Sequence, residues 1–247
     1  MNKEKRQATT FLTHSESGIN IFEEFNFAKK RFDELKIRNT IVVFGSARIK
    51  HDDVNLDCRH YYNSAYLLSK RLAEWSRDRF IDSPPEDKYY IVTGGGRGIM
   101  EAANKGASEA GERTAGLNIL LPFEQQANEY IPGELIIPFN YFFIRKFFFA
   151  YHAKAFIVFP GGFGTFDELF EILTLAQTQK MQQSIPFVIF GKKFYEKILN
   201  IDMLIEHGLI SESDRDLFIL TDDIDEAYEY ITEGIRYKRF VEWTGTE

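Results

Sequence analysis

The sequence has little cysteine and no long apolar run. Cys58 is the single cysteine among 247 residues, so the chain can form neither an internal disulfide nor a multi-cysteine metal cluster. A membrane-spanning helix needs roughly 18 consecutive apolar residues, and the nearest segment, 142–159, is interrupted by Arg145, Lys146, His152 and Lys154. The polar first residues precede no apolar signal region. We therefore expect a cytoplasmic protein with no secretory signal and no membrane partner.

The chain also has fewer basic than acidic residues. Thirty Lys and Arg against thirty-seven Asp and Glu leave a net charge of −7, which disfavours general binding to nucleic acid. The five histidines show no metal-ligand spacing, so we expect no metal site. The P-loop and G-x-G-x-x-G motifs are missing, which disfavours ATP hydrolysis and dinucleotide binding. A mononucleotide fits the sequence better.

Aromatic residues, by contrast, are abundant. The chain has 24 Phe and 12 Tyr. A subunit interface enriched in aromatics would explain the surplus, and so would a Phe-rich core. The sequence leaves both explanations open.

Short apolar runs alternate with segments of helical periodicity along the whole chain. Continuous apolar strands are typical of a parallel sheet that is covered by helices on both faces. The predicted strands are 40–44, 89–92, 117–121, 134–137, 155–159, 186–190 and a short run at 217–220; the predicted helices are 21–35, 59–79, 99–110, 141–154, 166–180, 194–207 and one from 224. We expect an α/β fold, doubly wound and mostly parallel. Residues 1–38 would form a helical extension and residues 39–247 a single Rossmann-like nucleotide-binding domain.

Three predicted strands end in small-residue turns: 44–46, 93–96 and 160–165. Glycine lets the backbone approach a ligand closely, and a following helix directs its N–H groups and positive dipole end at an anion. Ligands of open parallel sheets bind beyond the carboxyl ends of the strands. The turns therefore predict a site for a ligand that carries phosphate.

Glu168 admits two interpretations. Thr165-Phe166-Asp167-Glu168 matches a capping box, in which Thr165 is the N-cap and Glu168 reaches back to it. Alternatively, Glu168 faces the ligand beside the glycine turn. A carboxylate near a phosphate is repelled, so it would then contact another part of the ligand, such as the sugar.

Arg145 and Lys146 lie within an unusually aromatic segment, 141–151. Their aliphatic stems could cover an apolar subunit interface while the charges reach water. Alternatively, Arg145 meets an anion or a developing charge in a desolvated pocket.

Three segments resemble the LOG ("Lonely guy") family. Residues 160–168 read PGGxGTxxE, Arg145-Lys146 stands 23 residues before Glu168 like the family's RK pair, and residues 94–102 resemble GGGxxGxM. The resemblance covers roughly residues 41–191 and implies a modified Rossmann fold. It also implies a homodimer that hydrolyses the N-glycosidic bond of nucleoside 5′-monophosphates, releasing free base and ribose 5-phosphate without a metal or redox cofactor.

The resemblance also implies site residues. Arg145 and Glu168 match the catalytic pair, although the sequence does not assign acid and base. The matching substrate-binding positions are Lys146, Gly162, Phe163, Gly164, Thr165 and Thr174, with Ser46 and Gly95 as looser neighbours.

The substrate's base stays open at this point. Phe142, Phe143 and Ile144 precede the RK pair where plant-type members have Met and His, and the chain is longer at both ends. It therefore looks more like the larger bacterial branch, so AMP is as suitable as an N6-substituted AMP of cytokinin biosynthesis. The alternative is a non-catalytic nucleotide sensor or molybdenum-cofactor carrier on the same fold. Family members have long been named lysine decarboxylases, but nothing here suggests a pyridoxal-phosphate site.

Overall fold

Seven strands and eight α-helices make up the fold in the computed structural model, which describes residues 17–121, 126–181 and 185–244. In chain order the elements are α1 (Ser17–Leu35), β1 (Asn39–Phe44), α2 (Leu56–Arg79), β2 (Tyr89–Thr93), α3 (Ile99–Glu109), β3 (Thr114–Ile119), β4 (Ile136–Phe139), α4 (Phe142–Tyr151), β5 (Ala153–Val158), α5 (Phe163–Gln177), β6 (Phe187–Phe190), α6 (Lys192–Tyr195), α7 (Ile201–Glu206), β7 (Ile219–Thr221) and α8 (Ile224–Thr244). Of the helices in these ranges, none is long and apolar enough to cross a bilayer.

The strands form one sheet in the order β4-β3-β2-β1-β5-β6-β7. Every described pairing is parallel, which confirms the predicted α/β fold class. β1 lies at the centre, where Val42 pairs with Val92 of β2 on one side and with Phe156 of β5 on the other. The strand order therefore reverses between β1 and β5, and a crevice opens there at the carboxyl ends of the strands.

The apolar runs reflect burial on both faces of the sheet. Val42 and Phe44 of β1 pack toward α1, α4 and α5, whereas Ile41 and Val43 pack toward α2, α3 and α8. Successive strand side chains point to opposite faces, so a doubly covered strand has no polar side. Burying each large apolar side chain contributes roughly 1.5–3 kcal/mol.

Several predicted elements differ from the structure in their bounds. The predicted helix 194–207 is wrong as a single element: it is split into α6 and α7, because Asn200 begins a new helix by accepting a hydrogen bond from the Met203 N–H at 2.9 Å. β3 begins at Thr114, three residues early, since the Thr114 hydroxyl joins a buried network with the amide of Asn104. β4 begins after a 3₁₀ turn over residues 133–135 and ends at Phe139. The predicted helix 21–35 corresponds to α1, and residues 1–16 of the extension lie outside the described residues.

Candidate active site

A cavity of about 630 Å³ opens where β1, β2, β3 and β5 end. Residues of the glycine turns, of α4 and of α5 line it. The lining residues are Phe44, Gly45, Ser46, Ala47, Arg48, Gly94, Met100, Ile119, Arg145, Phe149, Gly162, Phe163, Gly164, Thr165, Phe166 and Glu168. The cavity thus lies at the sheet edge that the glycine turns predicted.

Backbone hydrogen bonds join the turns that follow β1 and β5. The Ser46 N–H donates to the Pro160 carbonyl at 3.1 Å, and the Ile99 N–H donates to the Ser46 carbonyl at 3.0 Å. The Ser46 hydroxyl accepts from the Arg48 N–H at 3.0 Å. Ser46 therefore ties three chain segments together at the cavity wall.

The helix that carries Glu168 begins earlier than predicted. Its N-cap is Gly162, whose carbonyl accepts from the N–H groups of Thr165 and Phe166 at 3.0 and 3.1 Å. The capping-box interpretation is therefore wrong, because Thr165 is the third helical residue and Glu168 lies in the second turn. Gly161 explains the tight entry: a Cβ atom there would lie 2.0 Å from the Thr165 hydroxyl oxygen.

Arg145 and Glu168 meet inside the cavity. The Arg145 Nη2 donates to the Glu168 Oε1 at 3.2 Å, and the two side chains are 13% and 5% exposed. The Arg145 guanidinium also lies over the rings of Phe142 and Phe149, 5.2 and 5.6 Å from their centroids. Its Nε–H is buried and finds no hydrogen-bond partner within the described ranges. Arg145 is thus held at the cavity wall by an ion pair and by two aromatic rings.

Burial disfavours charge on both members of this pair. It raises the pKa of Glu168 to about 7, although Arg145 and Lys146 act in the opposite direction. Burial lowers the pKa of Arg145, while Glu168 opposes that change. A carboxyl group whose pKa lies near 7 is suited to proton transfer or charge stabilisation at neutral pH.

Lys146 does not line the cavity, and its salt bridges connect α4 to α5. Its Nζ lies 2.8 Å from the Asp167 Oδ1 and 2.7 Å from the Glu171 Oε2. Burial lowers the pKa of Lys146, but the hydrogen bonds to these carboxylates raise it overall. Lys146 therefore fixes the distance between the helices that carry the Arg145–Glu168 pair.

The structure brings most of the predicted site residues together. Those that line the cavity are Ser46, Arg145, Gly162, Phe163, Gly164, Thr165 and Glu168, whereas Gly95, Lys146 and Thr174 do not line it. Gly95, at φ +74°, donates to the Thr93 hydroxyl and accepts from Asn128, so its polar groups are used internally. The Thr174 hydroxyl donates to the Phe170 carbonyl of its own helix at 2.7 Å.

Arg48 and Met100 line the cavity although the sequence did not single them out as site residues. For Arg48 the only available signal was its position shortly after the turn 44–46, whereas Met100 stands within the segment 94–102 that resembles GGGxxGxM. Across the described ranges, no three His, Cys, Asp or Glu side chains converge in a way that could hold a metal ion.

The amino-acid sequence is similar to those of several plant enzymes. The chain is 30% identical over 147 residues to the probable cytokinin riboside 5′-monophosphate phosphoribohydrolase LOG4 of Oryza sativa subsp. japonica, covering 58% of this chain and 62% of that protein. It is 28% identical over 180 residues to LOG2 of Arabidopsis thaliana, covering 71% and 76%. With LOG5 of Arabidopsis thaliana it shares 26% identity over 152 residues, 59% of this chain and 66% of that protein. The chain thus spans less than two thirds of the length of some of these relatives.

Solved structures show the same fold. TM1055 superposes with a TM-score of 0.56 at 18% identity, covering 79% of this chain and 99% of that one. The molybdenum cofactor binding protein of Rippkaea orientalis superposes with a TM-score of 0.52 at 17% identity, covering 79% and 96%. A family model described as "Possible lysine decarboxylase" matches residues 100–231, more than half of the chain. The chain therefore belongs to this family, the LOG family that its glycine turns and RK pair resemble.

Proposed function

We propose that this protein hydrolyses the N-glycosidic bond of nucleoside 5′-monophosphates, with AMP or an N6-substituted AMP as substrate. The observation that carries the proposal is the buried Arg145–Glu168 pair, 3.2 Å apart, in a cavity bordered by a glycine turn and a helix N-terminus. The names of the plant relatives, which state phosphoribohydrolase activity on cytokinin riboside 5′-monophosphates, support the same reaction class.

The glycine turn at the start of α5 suits the 5′-phosphate. Gly162, Phe163 and Gly164 line the cavity, and the first N–H groups of a helix have no partner within the helix. These N–H groups and the positive end of the helix dipole favour an anion. Phosphate binding here would place the ribose toward Glu168 and discriminate against free nucleosides.

Glu168 acts on the charge that develops in the sugar. When the bond between C1′ and the base nitrogen breaks, the electron pair leaves with the base and positive charge builds on the ribosyl ring. Water supplies a hydroxyl group to C1′ and a proton to the base. A buried carboxylate stabilises the developing charge strongly, because little solvent screens it. Arg145, which lines the same cavity, would contact the departing base or the phosphate.

Base release from a panel of nucleoside monophosphates and the matching nucleosides, followed by chromatography, tests the proposal. We expect release from AMP-like substrates, none from nucleosides, and loss of turnover in Glu168→Gln. Glu206→Gln, which changes an exposed carboxylate on α7, is the matched control and should keep wild-type activity. Full activity of Glu168→Gln would overturn the assignment of Glu168.

The pH dependence of kcat/KM offers an independent check. Because the proposed role needs the carboxylate form of Glu168, activity should rise as the pH passes through about 7. A fall over the same range would instead assign Glu168 as a general acid.

A non-catalytic nucleotide or molybdenum-cofactor carrier is the alternative. The fold shared with the Rippkaea orientalis protein is compatible with it. A carrier needs the glycine turns but gains nothing from a carboxylate buried beside an arginine. Tight binding of AMP without base release would favour the carrier.

We also propose that the protein forms a homodimer through an aromatic stripe on α4. Phe143, Phe147 and Tyr151 are spaced four residues apart on one helix face and are 42%, 42% and 66% exposed. Exposed aromatic clusters are enriched at subunit interfaces. Light scattering after size exclusion should give a dimer for the wild type and a monomer for Phe143→Ser/Tyr151→Ser; a monomeric wild type would refute the assembly.

A further inference from the structure

Helix α1 lies outside residues 100–231, the segment that matches the family model. It nevertheless packs directly on the helix that carries Arg145. Phe25 lies 5.2 Å from Phe148 of α4, and Phe32 stacks on Phe148 and on His152 at 5.4 and 4.4 Å between ring centroids. The middle and the carboxyl end of α4 are thus held by aromatic contacts with α1.

A buried carboxylate of α1 holds the other end of α4. Glu24, 8% exposed, accepts hydrogen bonds from the Asn140 N–H at 2.9 Å, the Asn140 Nδ2 at 2.8 Å and the Tyr141 N–H at 3.1 Å. Burying a carboxylate is costly unless several donors satisfy it. Here three donors come from the two residues that immediately precede α4, although Glu24 and Tyr141 are 117 residues apart in sequence.

These hydrogen bonds act at the point where α4 begins. Tyr141 is the N-cap of α4, and tyrosine is not one of the residues whose side chains cap helices. Glu24 instead binds the N–H groups of Tyr141 and of the preceding Asn140, and its negative charge suits the positive end of the helix dipole. The Tyr141 carbonyl accepts from the Arg145 N–H at 3.2 Å, so the first turn of α4 connects the capped end directly to Arg145.

We propose that Glu24 is a positioning residue: through Asn140 and Tyr141 it fixes the start of α4 and thereby the placement of Arg145 against Glu168. Helix α1 is on this proposal an internal brace for the active site. The effect on turnover depends on the proposed function, whereas the effect on α4 itself does not.

The experiment compares Glu24→Ala, the isosteric Glu24→Gln and the control Glu23→Gln, which changes an exposed neighbour on α1. Misplacement of a reacting group by about 1 Å costs on the order of 100-fold in rate, so we expect kcat with AMP to fall about 10- to 100-fold in Glu24→Ala. The Gln variant keeps one acceptor oxygen and should fall less. KM should change less than about threefold, because the phosphate turn on α5 is untouched. Glu23→Gln should match the wild type.

Hydrogen exchange of the α4 amides in the same full-length variants is the second readout. We expect faster exchange across residues 142–151 in Glu24→Ala and Glu24→Gln, with β5 unchanged. If Glu24→Ala does not fold, Glu24→Gln carries both measurements.

Two results would overturn the proposed role of Glu24. One is wild-type kcat in both Glu24 variants at a temperature where they are folded, and the other is unchanged hydrogen exchange across α4. A lower melting temperature with unchanged kcat would assign Glu24 a structural role only, and would also overturn it. If the wild-type protein itself releases no base, the proposed function fails, and the exchange measurement still decides whether Glu24 holds α4.

Discussion

Replacing Glu168 with Gln should abolish base release and yet stabilise the fold. The wild-type protein carries a carboxyl group in a site whose burial raises the pKa of Glu168 from 4.5 to about 7. The folded state therefore binds more protons than the unfolded state between these pH values. Stability due to this group consequently falls as the pH rises from 4.5 to 7. Gln keeps the shape of the protonated acid and does not ionise.

The size of the effect follows from the pKa. A tenfold change in proton affinity corresponds to about 1.4 kcal/mol, so ionisation of Glu168 costs the folded state roughly 3 kcal/mol relative to the unfolded state. This full cost applies at pH 8, where both states are ionised. At pH 5 the folded state stays protonated, and the cost is about 1 kcal/mol. Glu168→Gln should thus gain roughly 2 kcal/mol more at pH 8 than at pH 5.

Urea unfolding of both proteins at pH 5, 6, 7 and 8, followed by circular dichroism, measures this difference. Titration of other groups cancels because both proteins share them. Glu206→Gln, on the exposed surface, should show the same pH dependence as the wild type. Equal stability of Glu168→Gln and the wild type at pH 8, or a gain that does not change with pH, would refute the electrostatic argument.

Three further predictions concern other parts of the molecule. Gly161→Ala should lose about 1–3 kcal/mol of stability by urea unfolding, because its Cβ would lie 2.0 Å from the Thr165 hydroxyl oxygen. The Cβ of the control variant Gly164→Ala meets open space, so this variant should not be destabilised. Arg145→Lys keeps the charge but not the guanidinium geometry, so kcat/KM with AMP should fall about 100-fold; near-wild-type kinetics would contradict a geometric role. Burial lowers the pKa of His152 from 6.5 to about 4. The unfolded state therefore binds the proton more readily, and the wild type should lose stability as the pH falls from 6.5 to 4. Equally steep acid unfolding of a His152→Phe variant would contradict this cause.

The layered fold was predictable because its cause is local. A strand such as β1 is buried on both faces, and this produces the continuous apolar run that the sequence displays. The position of the cavity followed from the glycine turns, since carboxyl ends of parallel strands share one sheet edge. Residue spacing alone does not predict that Arg145 pairs with Glu168; the resemblance to the LOG family implied that both belong to one site.

Errors arose where tertiary contacts override local patterns. The residues from Thr165 to Glu168 satisfy the capping-box pattern, but the helix begins at Phe163 and Glu168 meets Arg145. The two helices over 194–207 were separable in principle, because Asn200 is a good N-cap residue. No sequence pattern could reveal Glu24, whose partners lie more than a hundred residues further along the chain.

The hydrogen bond from Ser46 to Pro160 bears on the order in which the molecule is assembled during synthesis. Helices α2 and α3 and strands β1 to β3 can fold early, since they precede β5 in the chain. The two walls of the cavity join only when β5 pairs with β1, a contact between distant parts of the sequence. Such contacts form late because the intervening loop must close first. A chain that has been synthesised only as far as β4 therefore lacks the cavity wall formed by α4, α5 and the turn after β5, and the cavity is complete only after Glu168 has emerged.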